Sequence, residues 1–166
     1  MTRRSRIAAR VGALILFAAL AAVASQALSL EERSLIINEV EVNPEGVDHG
    51  NEWLEILNVS ERSVDLAGWS LSYTYRGPGT VPLVDVTTIL GPGERFVFVY
   101  SRISLRNGSG NVIRLIDPVG WIADETSPLL DEDDDDRTWQ RFPDGGDAWF
   151  PDLWVFNAAT RGRTND

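Results

Sequence analysis

The sequence contains no cysteine, no lysine and a single histidine. Without cysteine there is no disulfide framework, no thiolate nucleophile and no thiolate metal ligand. The histidine, His49, precedes a glycine in a polar segment, and no serine sits in a Gly-x-Ser-x-Gly elbow. These absences remove the usual partners for activating a nucleophile, so we do not expect an enzyme.

Positive charge is also scarce. The chain has 15 basic and 25 acidic residues, which gives a formal charge of −10. Binding to nucleic acid depends on basic side chains that neutralise phosphates and release counterions, so no nucleic-acid partner is expected. A lysine-free acidic surface is typical of a protein that stays hydrated at high salt, and it also arises where a GC-rich genome replaces lysine by arginine. The sequence leaves both explanations open.

Helical patterning is confined to the N-terminus. Four arginines precede an uncharged apolar run over 11–24: Arg3, Arg4, Arg6 and Arg10. This pattern predicts a secretory signal helix over 1–27, cleaved after Ala24 or Ala27. The alternative is an uncleaved membrane anchor, since no charge lies between Arg10 and Glu31. Removal of the leader would leave 11 basic and 25 acidic residues, a formal charge of −14, in a chain that is secreted or held at the cell surface.

Two alternating apolar runs open the remainder of the chain. In the first, Ile36, Val40 and Val42 share a face with Asn38, and the other face carries Ile37, Glu39 and Glu41. In the second, over 53–59, Leu54 and Ile56 point one way while Trp53, Glu55 and Leu57 point the other. We expect two half-buried strands, with the glutamates on the solvated face.

Further strands are expected along the rest of the chain. One carries Leu71, Tyr73 and Tyr75, and the others are predicted over 84–90, 95–100, 112–116, 119–123 and 138–142. The apolar run Phe96–Tyr100 is typical of a strand at the centre of a sheet. The turn formers over 107–111 predict a hairpin between this run and the next strand, with Ile113 and Leu115 facing inward. About eight or nine strands and no helix indicate an all-β sandwich of antiparallel sheets over 34–165.

Three ordered motifs resemble the lamin tail domain, an immunoglobulin-like module known from nuclear lamins and found in secreted prokaryotic proteins. They are Ile37-Asn38-Glu39-Val40 with Asn43-Pro44, then Glu52-Trp53-Leu54-Glu55-Ile56 with Asn58, then Asp65-Leu66 with Gly68-Trp69 and Leu71. Later segments are also similar to the family: Leu90–Glu94, which contains Gly93, Ile113–Asp117 with Gly120, Thr138–Arg141, which contains Trp139, and Thr160 with Gly162 and Asn165. Arg161 stands where the family usually has proline.

The resemblance implies an immunoglobulin-like β-sandwich in which the motif residues are structural. It also implies a non-enzymatic binding or structural module outside the cell. The partner would be another protein, a cell-surface component or a second copy paired at a strand edge. Membrane contact would come only through an uncleaved leader.

Acidic side chains raise the alternative of a calcium-dependent module. Six consecutive acids occupy 131–136, and with residues before them they offer four candidate ligands: Asp48, Glu52, Asp133 and Asp135. Calcium requires six to eight oxygen ligands, but the run lacks the spacing of an EF-hand loop, and such runs are usually solvated. No cofactor is otherwise expected. Asn58 and Asn107 begin two N-glycosylation sequons.

Six tryptophans raise the alternative of glycan binding. We expect Trp69, Trp121 and Trp139 in the core, since each lies in or beside a predicted strand. Trp53, Trp149 and Trp154 are the candidates for stacking on a sugar. Glu39, Glu41 and Glu55 are the acids that adjoining strands would offer to a paired-carboxylate hydrolase, although a solvated face explains them more simply.

A melting scan separates a specific calcium site from general charge screening. If calcium binds the folded state alone, millimolar calcium raises the melting temperature and EDTA reverses the rise. If the acidic surface is an adaptation to solvent, sodium and calcium salts stabilise the protein to the same extent at matched ionic strength. The second outcome would remove the calcium alternative.

Overall fold

The computed structural model describes residues 34–73, 79–101, 105–146 and 153–166. The expected signal helix, Tyr75 and Trp149 lie outside these residues. The described residues form eleven strands and no helix: β1 Leu35–Glu41, β2 Trp53–Asn58, β3 Val64–Asp65, β4 Ser70–Tyr73, β5 Gly79–Pro82, β6 Ile89–Leu90, β7 Arg95–Val99, β8 Arg114–Ile116, β9 Ile122–Glu125, β10 Arg137–Arg141 and β11 Trp154–Ala158. The all-β expectation is confirmed, with more and shorter strands than predicted.

The strands form two main antiparallel sheets. The first has the order β11-β10-β1-β2-β7, so that β1 is its central strand, and the second has the order β5-β4-β8-β9. The short strands β3 and β6 pair with each other. Apolar side chains from both main sheets form one buried cluster, to which β2 contributes Leu54 and Ile56 as the alternation predicted, and β8 with the residue before it contributes Leu115 and Ile113.

A β-bulge in β1 changes which of its residues face the core. Ile37 pairs with Ile56, but the next pair is Glu39 with Glu55, which leaves Asn38 as the extra residue. An extra residue inverts the alternation beyond it. The core residues of this segment are therefore Leu35, Ile37, Val40 and Val42. The expectation that Ile36 shares a face with Val40 is wrong, because simple alternation does not reveal a bulge.

The strand β7 lies at an edge of the first sheet and not at its centre. Its side chains are half-buried, although Phe96 and Phe98 pack against the core. The expected hairpin with the following strand is also wrong, since β8 pairs with β4 and β9 in the second sheet. The turn over 107–111 lies on a crossover between the sheets. A continuous apolar run shows that a strand is partly buried, but not which neighbour it has.

Two other expectations need correction. Only Ile89–Leu90 of the predicted strand over 84–90 forms a strand, and its partner is Val64–Asp65. The strand β11 was not predicted, because its residues Trp154–Ala158 follow a cluster of aromatic and turn residues. It pairs with β10 and forms the other edge of the first sheet.

Two of the three tryptophans that were predicted to lie in the core are packed there, and the third is not. Trp69 is buried in the core and Trp139 packs against it, as expected. Trp121 is 74% exposed, so its expected place in the core is wrong. It lies in the turn before β9, where no element of the second sheet covers it.

A buried ion pair joins the two sheets beside the bulge. Arg141 on β10 is 2.7 Å from the carboxylate of Asp124 on β9, and both side chains are inaccessible to solvent. The same carboxylate oxygen accepts a hydrogen bond from the Ile37 backbone N–H at 2.8 Å, and the Ile37 carbonyl accepts one from Arg141 Nε at 2.9 Å. The two side chains thus form hydrogen bonds with the backbone N–H and C=O groups of Ile37, which lies beside the bulge in β1.

Removal of one partner should leave the other charge buried. We expect Arg141→Met to lower the free energy of unfolding by about 3–5 kcal/mol, measured by urea denaturation. The double variant with Asp124→Asn should lose less free energy of unfolding than the sum of the losses in the two single variants, because neither charge of the pair then remains buried. Arg114→Met, which breaks a more exposed pair with Glu125 between β8 and β9, is the control and should cost less than about 1 kcal/mol. Equal losses at the two arginines would contradict this role of the buried pair.

Candidate functional site

The outer face of the five-stranded sheet carries a buried polar network. The chain after β11 lies across this face, where backbone and side-chain groups of Thr160 and Gly162 bond to carboxylates of β1 and β2. Glu39 and Glu55 are therefore fully buried, although they point away from the apolar core. The expectation that these glutamates lie on a solvated face is wrong, because a segment distant in sequence covers them.

The Glu39 carboxylate accepts four hydrogen bonds. Its Oε1 atom accepts from Thr138 Oγ1 at 2.6 Å, from Gln140 Nε2 at 3.2 Å and from the Thr160 backbone N–H at 2.7 Å. Its Oε2 atom accepts from the Thr160 hydroxyl at 3.0 Å. Both oxygens are thus engaged by the protein, and the carboxylate ties the C-terminal segment to the central strand.

The Glu55 carboxylate makes a second set of contacts. It accepts from Asn38 Nδ2 at 2.9 Å and from the Gly162 backbone N–H at 2.8 Å, and Arg95 Nε lies 3.2 Å away. Burial raises the pKa of Glu55, while these hydrogen bonds and the arginine oppose the rise. Its contacts close the same segment over β2.

Asn38, the extra residue of the bulge, is the centre of the network. Its side-chain amide donates to Asp144 at 2.9 Å and its Oδ1 accepts from the Gly145 N–H at 3.0 Å. Its backbone carbonyl accepts from Asn165 Nδ2, which also donates to the Arg141 carbonyl. The structure therefore brings together motif residues that are far apart in sequence: Asn38, Glu39, Glu55, Gly162 and Asn165.

This arrangement favours a structural role for the acids. A paired-carboxylate hydrolase needs two acids on the wall of an open cleft, with room for substrate and water. Glu39 and Glu55 are closed off from solvent and bonded to donors of the fold. The network holds the C-terminal segment against the sheet, and nothing in it is open to a substrate.

A second acidic group lies where β1 ends. Glu41 and Asp131 are each 3% exposed, so the expectation of a solvated Glu41 is also wrong. Burial raises the pKa of Glu41 to about 8, opposed by a hydrogen bond from the Asn43 N–H and helped by the nearby negative charges of Asp131, Asp136 and Asp135. Burial also raises the pKa of Asp131. The acidic run lies in a loop outside the sheets, as predicted.

The candidate calcium ligands bond to groups of the protein. Asp48 accepts from Asn107 Nδ2 at 3.1 Å, and Glu52 accepts from the Leu105 backbone N–H at 2.8 Å. The remaining two, Asp133 and Asp135, form ion pairs with Arg137. In the part of the chain that the structure describes, no group of three or more histidine, aspartate or glutamate side chains is placed to hold a metal ion.

The sequon asparagines are both engaged through the nitrogen that would carry a glycan. Asn58 is fully buried, and its Nδ2 donates to the carbonyls of Arg62 and Leu90 at 2.7 and 2.9 Å. Asn107 is half-buried, and its Nδ2 donates to Asn43 and Asp48. A glycan on Asn58 would require these contacts to break, so this position acts as a structural anchor between the end of β2, the loop after it and β6.

The described tryptophans proposed for sugar stacking are covered. Trp53 is 4% exposed, and the guanidinium of Arg161 lies 5.1 Å from its ring centroid. Trp154 is half-buried, with the guanidinium of Arg141 at 4.8 Å. A sugar needs a free ring face, so neither residue supports glycan binding.

An open cleft lies between the edges of the two sheets. Its volume is about 410 Å³, and it is lined by residues 80–85 and 98–101. The first segment includes part of β5 and the second part of β7, and both strands are edge strands. Val81, Leu83, Val84 and Phe98 make much of the lining apolar. Sequence reasoning did not find this cleft, because its walls are 13 or more residues apart in sequence and meet only through sheet packing.

Tyr100 lies in the wall of the same cleft. Its side chain is fully buried, and its hydroxyl has no hydrogen-bond partner among the described residues. Burial, with the nearby charge of Glu52, raises its pKa. The tyrosine is therefore a neutral, rigid part of the cleft wall.

Two antiparallel sheets around one apolar core, with no helix in the described ranges, define an all-β immunoglobulin-like protein. The model of the lamin tail domain family matches residues 30–139, and the chain belongs to that family. No curated protein and no solved structure matches the chain. Within the described ranges there is no helix long and apolar enough to cross a membrane.

The raised pKa of Glu41 predicts a pH-dependent stability. Glu41 ionises near pH 4.5 in the unfolded chain and near pH 8 in the folded chain. Between these pH values the unfolded state therefore binds fewer protons than the folded state. The free energy of unfolding should therefore fall as the pH rises through this window. Glu41→Gln removes the ionisation and should stabilise the protein above pH 8 by on the order of 2 kcal/mol, with little effect near pH 4.5.

Thermal melting at a series of pH values measures this effect. Glu45→Gln removes an exposed carboxylate from the next loop and is the matched control for net charge. An equal gain from both variants above pH 8 would attribute the effect to overall charge and contradict a specific role of Glu41.

Proposed function

We propose that this chain is a non-enzymatic binding module that acts outside the cell or at the cell surface. Membership of the lamin tail domain family supports the coarse part of this proposal, since that family is an immunoglobulin-like structural family. The engagement of Glu39 and Glu55 in the fold also favours binding over catalysis. The predicted leader supports a location beyond the cytoplasmic membrane.

The cleft between β5 and β7 is the observation that carries the binding role. An edge strand presents backbone N–H and C=O groups that pair with an added strand. Here two such edges border one apolar cleft. An extended peptide could add to one edge through its backbone and place alternate side chains in the cleft, as in β-strand addition.

The chemistry of the lining supports one kind of partner. Val81, Leu83, Val84 and Phe98 offer an apolar surface, while Asp85 is exposed at one border of the cleft. We therefore propose a protein partner with an extended, alternately apolar segment. Hydrogen bonds between the main chains would supply affinity, and the cleft would determine which peptide side chains are accepted.

Selection from a displayed peptide library tests this function. Peptides that bind the chain should bind at least about tenfold more weakly to Val84→Arg, which places a charge in the cleft, as measured by fluorescence anisotropy. Val119→Arg is the matched control, because Val119 is 78% exposed in the turn before β9, which is the edge strand of the second sheet opposite β5. Circular dichroism should show both variants folded. Selected peptides that bind Val84→Arg as well as they bind the unaltered chain would place binding elsewhere and overturn the proposal.

A further inference from the structure

One end of the sandwich combines the start of β1 with most of the exposed apolar residues. We call it the apolar end. In the first sheet it is marked by the paired residues Leu35 and Asn58, and in the second by Ser70, Ile116 and Ile122, which are also paired. Asn58 Nδ2 bonds to the Leu90 carbonyl, which connects this end of the first sheet to the loops around β6.

The exposed apolar side chains are distributed unevenly. Ten large apolar residues are well exposed in the described ranges, and eight of them lie in strands and loops of the apolar end: Val59, Val86, Ile89, Val119, Trp121, Ile122, Phe142 and Leu153. The other two, Val47 and Leu130, lie toward the opposite end. Single exposed apolar residues are ordinary, but a concentration at one end is typical of a contact surface.

The turn before β9 is the most prominent part of this end. Val119 is 78% exposed and Trp121 is 74% exposed. The Asp117 carboxylate accepts hydrogen bonds from the backbone N–H groups of both residues, at 3.0 and 2.7 Å. Gly120, with a φ of 94°, donates its N–H to the Asp117 carbonyl. The turn is thus held in one shape while it presents a valine and a tryptophan to the outside.

The densest acidic cluster lies away from the apolar end. The acidic loop 131–136 surrounds Glu41 at the opposite end of β1, and Asp134 bonds to the Gly46 N–H there. The apolar end is less densely charged, but Glu61, Asp65 and Glu94 are exposed there, so its approach to lipid depends on its apolar side chains and not on charge. Tryptophan is enriched where proteins meet the lipid headgroups.

The position of the N-terminal segment favours a lipid bilayer as the occupant. Ser34 precedes β1 at the apolar end, where its carbonyl accepts a hydrogen bond from the Val59 N–H. Nine residues, 25–33, separate it from the apolar run over 11–24, and nine residues reach at most roughly 30 Å. A leader held in a membrane would keep this end of the sandwich beside that membrane.

We propose that the apolar end rests on a lipid bilayer, with the Val119–Ile122 turn inserted at the level of the headgroups and the acidic loop facing outward. This proposal rests on the location proposed above, and it favours the form in which the leader is retained.

The absence of cysteine makes a site-specific test possible. Val119→Cys and Val47→Cys each introduce a single thiol in the full chain, at exposed valines of opposite ends. Each variant is labelled with a polarity-sensitive fluorophore and reconstituted into uncharged vesicles of phosphatidylethanolamine and phosphatidylcholine. We expect a blue shift and strong quenching by nitroxide-labelled lipid at position 119, and neither at position 47.

The same measurements distinguish the other outcomes. Equal quenching at the two positions, or none at either, would overturn the proposal. A second copy of the chain would be the occupant if the blue shift at position 119 grows with protein concentration in detergent and nitroxide lipid does not quench the fluorophore. That result would also overturn the proposal. Trp121→Asp should reduce the quenching at position 119, while peptide binding at the cleft persists. A failure of the membrane proposal can therefore be distinguished from a failure of the proposed binding function.

Discussion

The β-bulge at Asn38 is the constraint on which the rest of the structure depends. An extra residue in the central strand interrupts the regular ladder, and its backbone groups must find partners other than a neighbouring strand. From the core side, Asp124 accepts a hydrogen bond from the Ile37 N–H and Arg141 donates one to the Ile37 carbonyl. From the outer side, Asn165 donates one to the Asn38 carbonyl. One irregularity thereby binds both sheets and the C-terminal segment together.

This arrangement explains why so many charged and amide groups are buried in a protein with a large apolar core. The acids on the outer face of β1 and β2 hold a covering segment in place, and each hydrogen-bond donor offsets part of the cost of burying them. The polar motif residues are thus committed to the fold. The surfaces left for interaction are the places where strands end or lack neighbours, namely the cleft between two sheet edges and the apolar end of the sandwich.

Sequence patterns predicted the features that depend on neighbours along the chain. The alternation in β2, the inward face of β8 and the exclusion of the acidic run from the sheets follow from local chemistry, and the structure agrees. The burial of Glu39, the exposure of Trp121 and the edge position of β7 depend on which segments meet in space. Alternation reports that a strand has two faces, but it does not report what covers the second face.

The sequence by itself determined the all-β class and the family, because alternating apolar runs and ordered motifs are written along the chain. It also determined the strongly acidic character, which is a matter of composition. Only the tertiary structure decided that Asn38, Glu55 and Asn165 form one network, that two edges enclose a cleft and that apolar side chains concentrate at one end. Those features arise from contacts between residues far apart in sequence, and their geometry exists only once the sheets have packed.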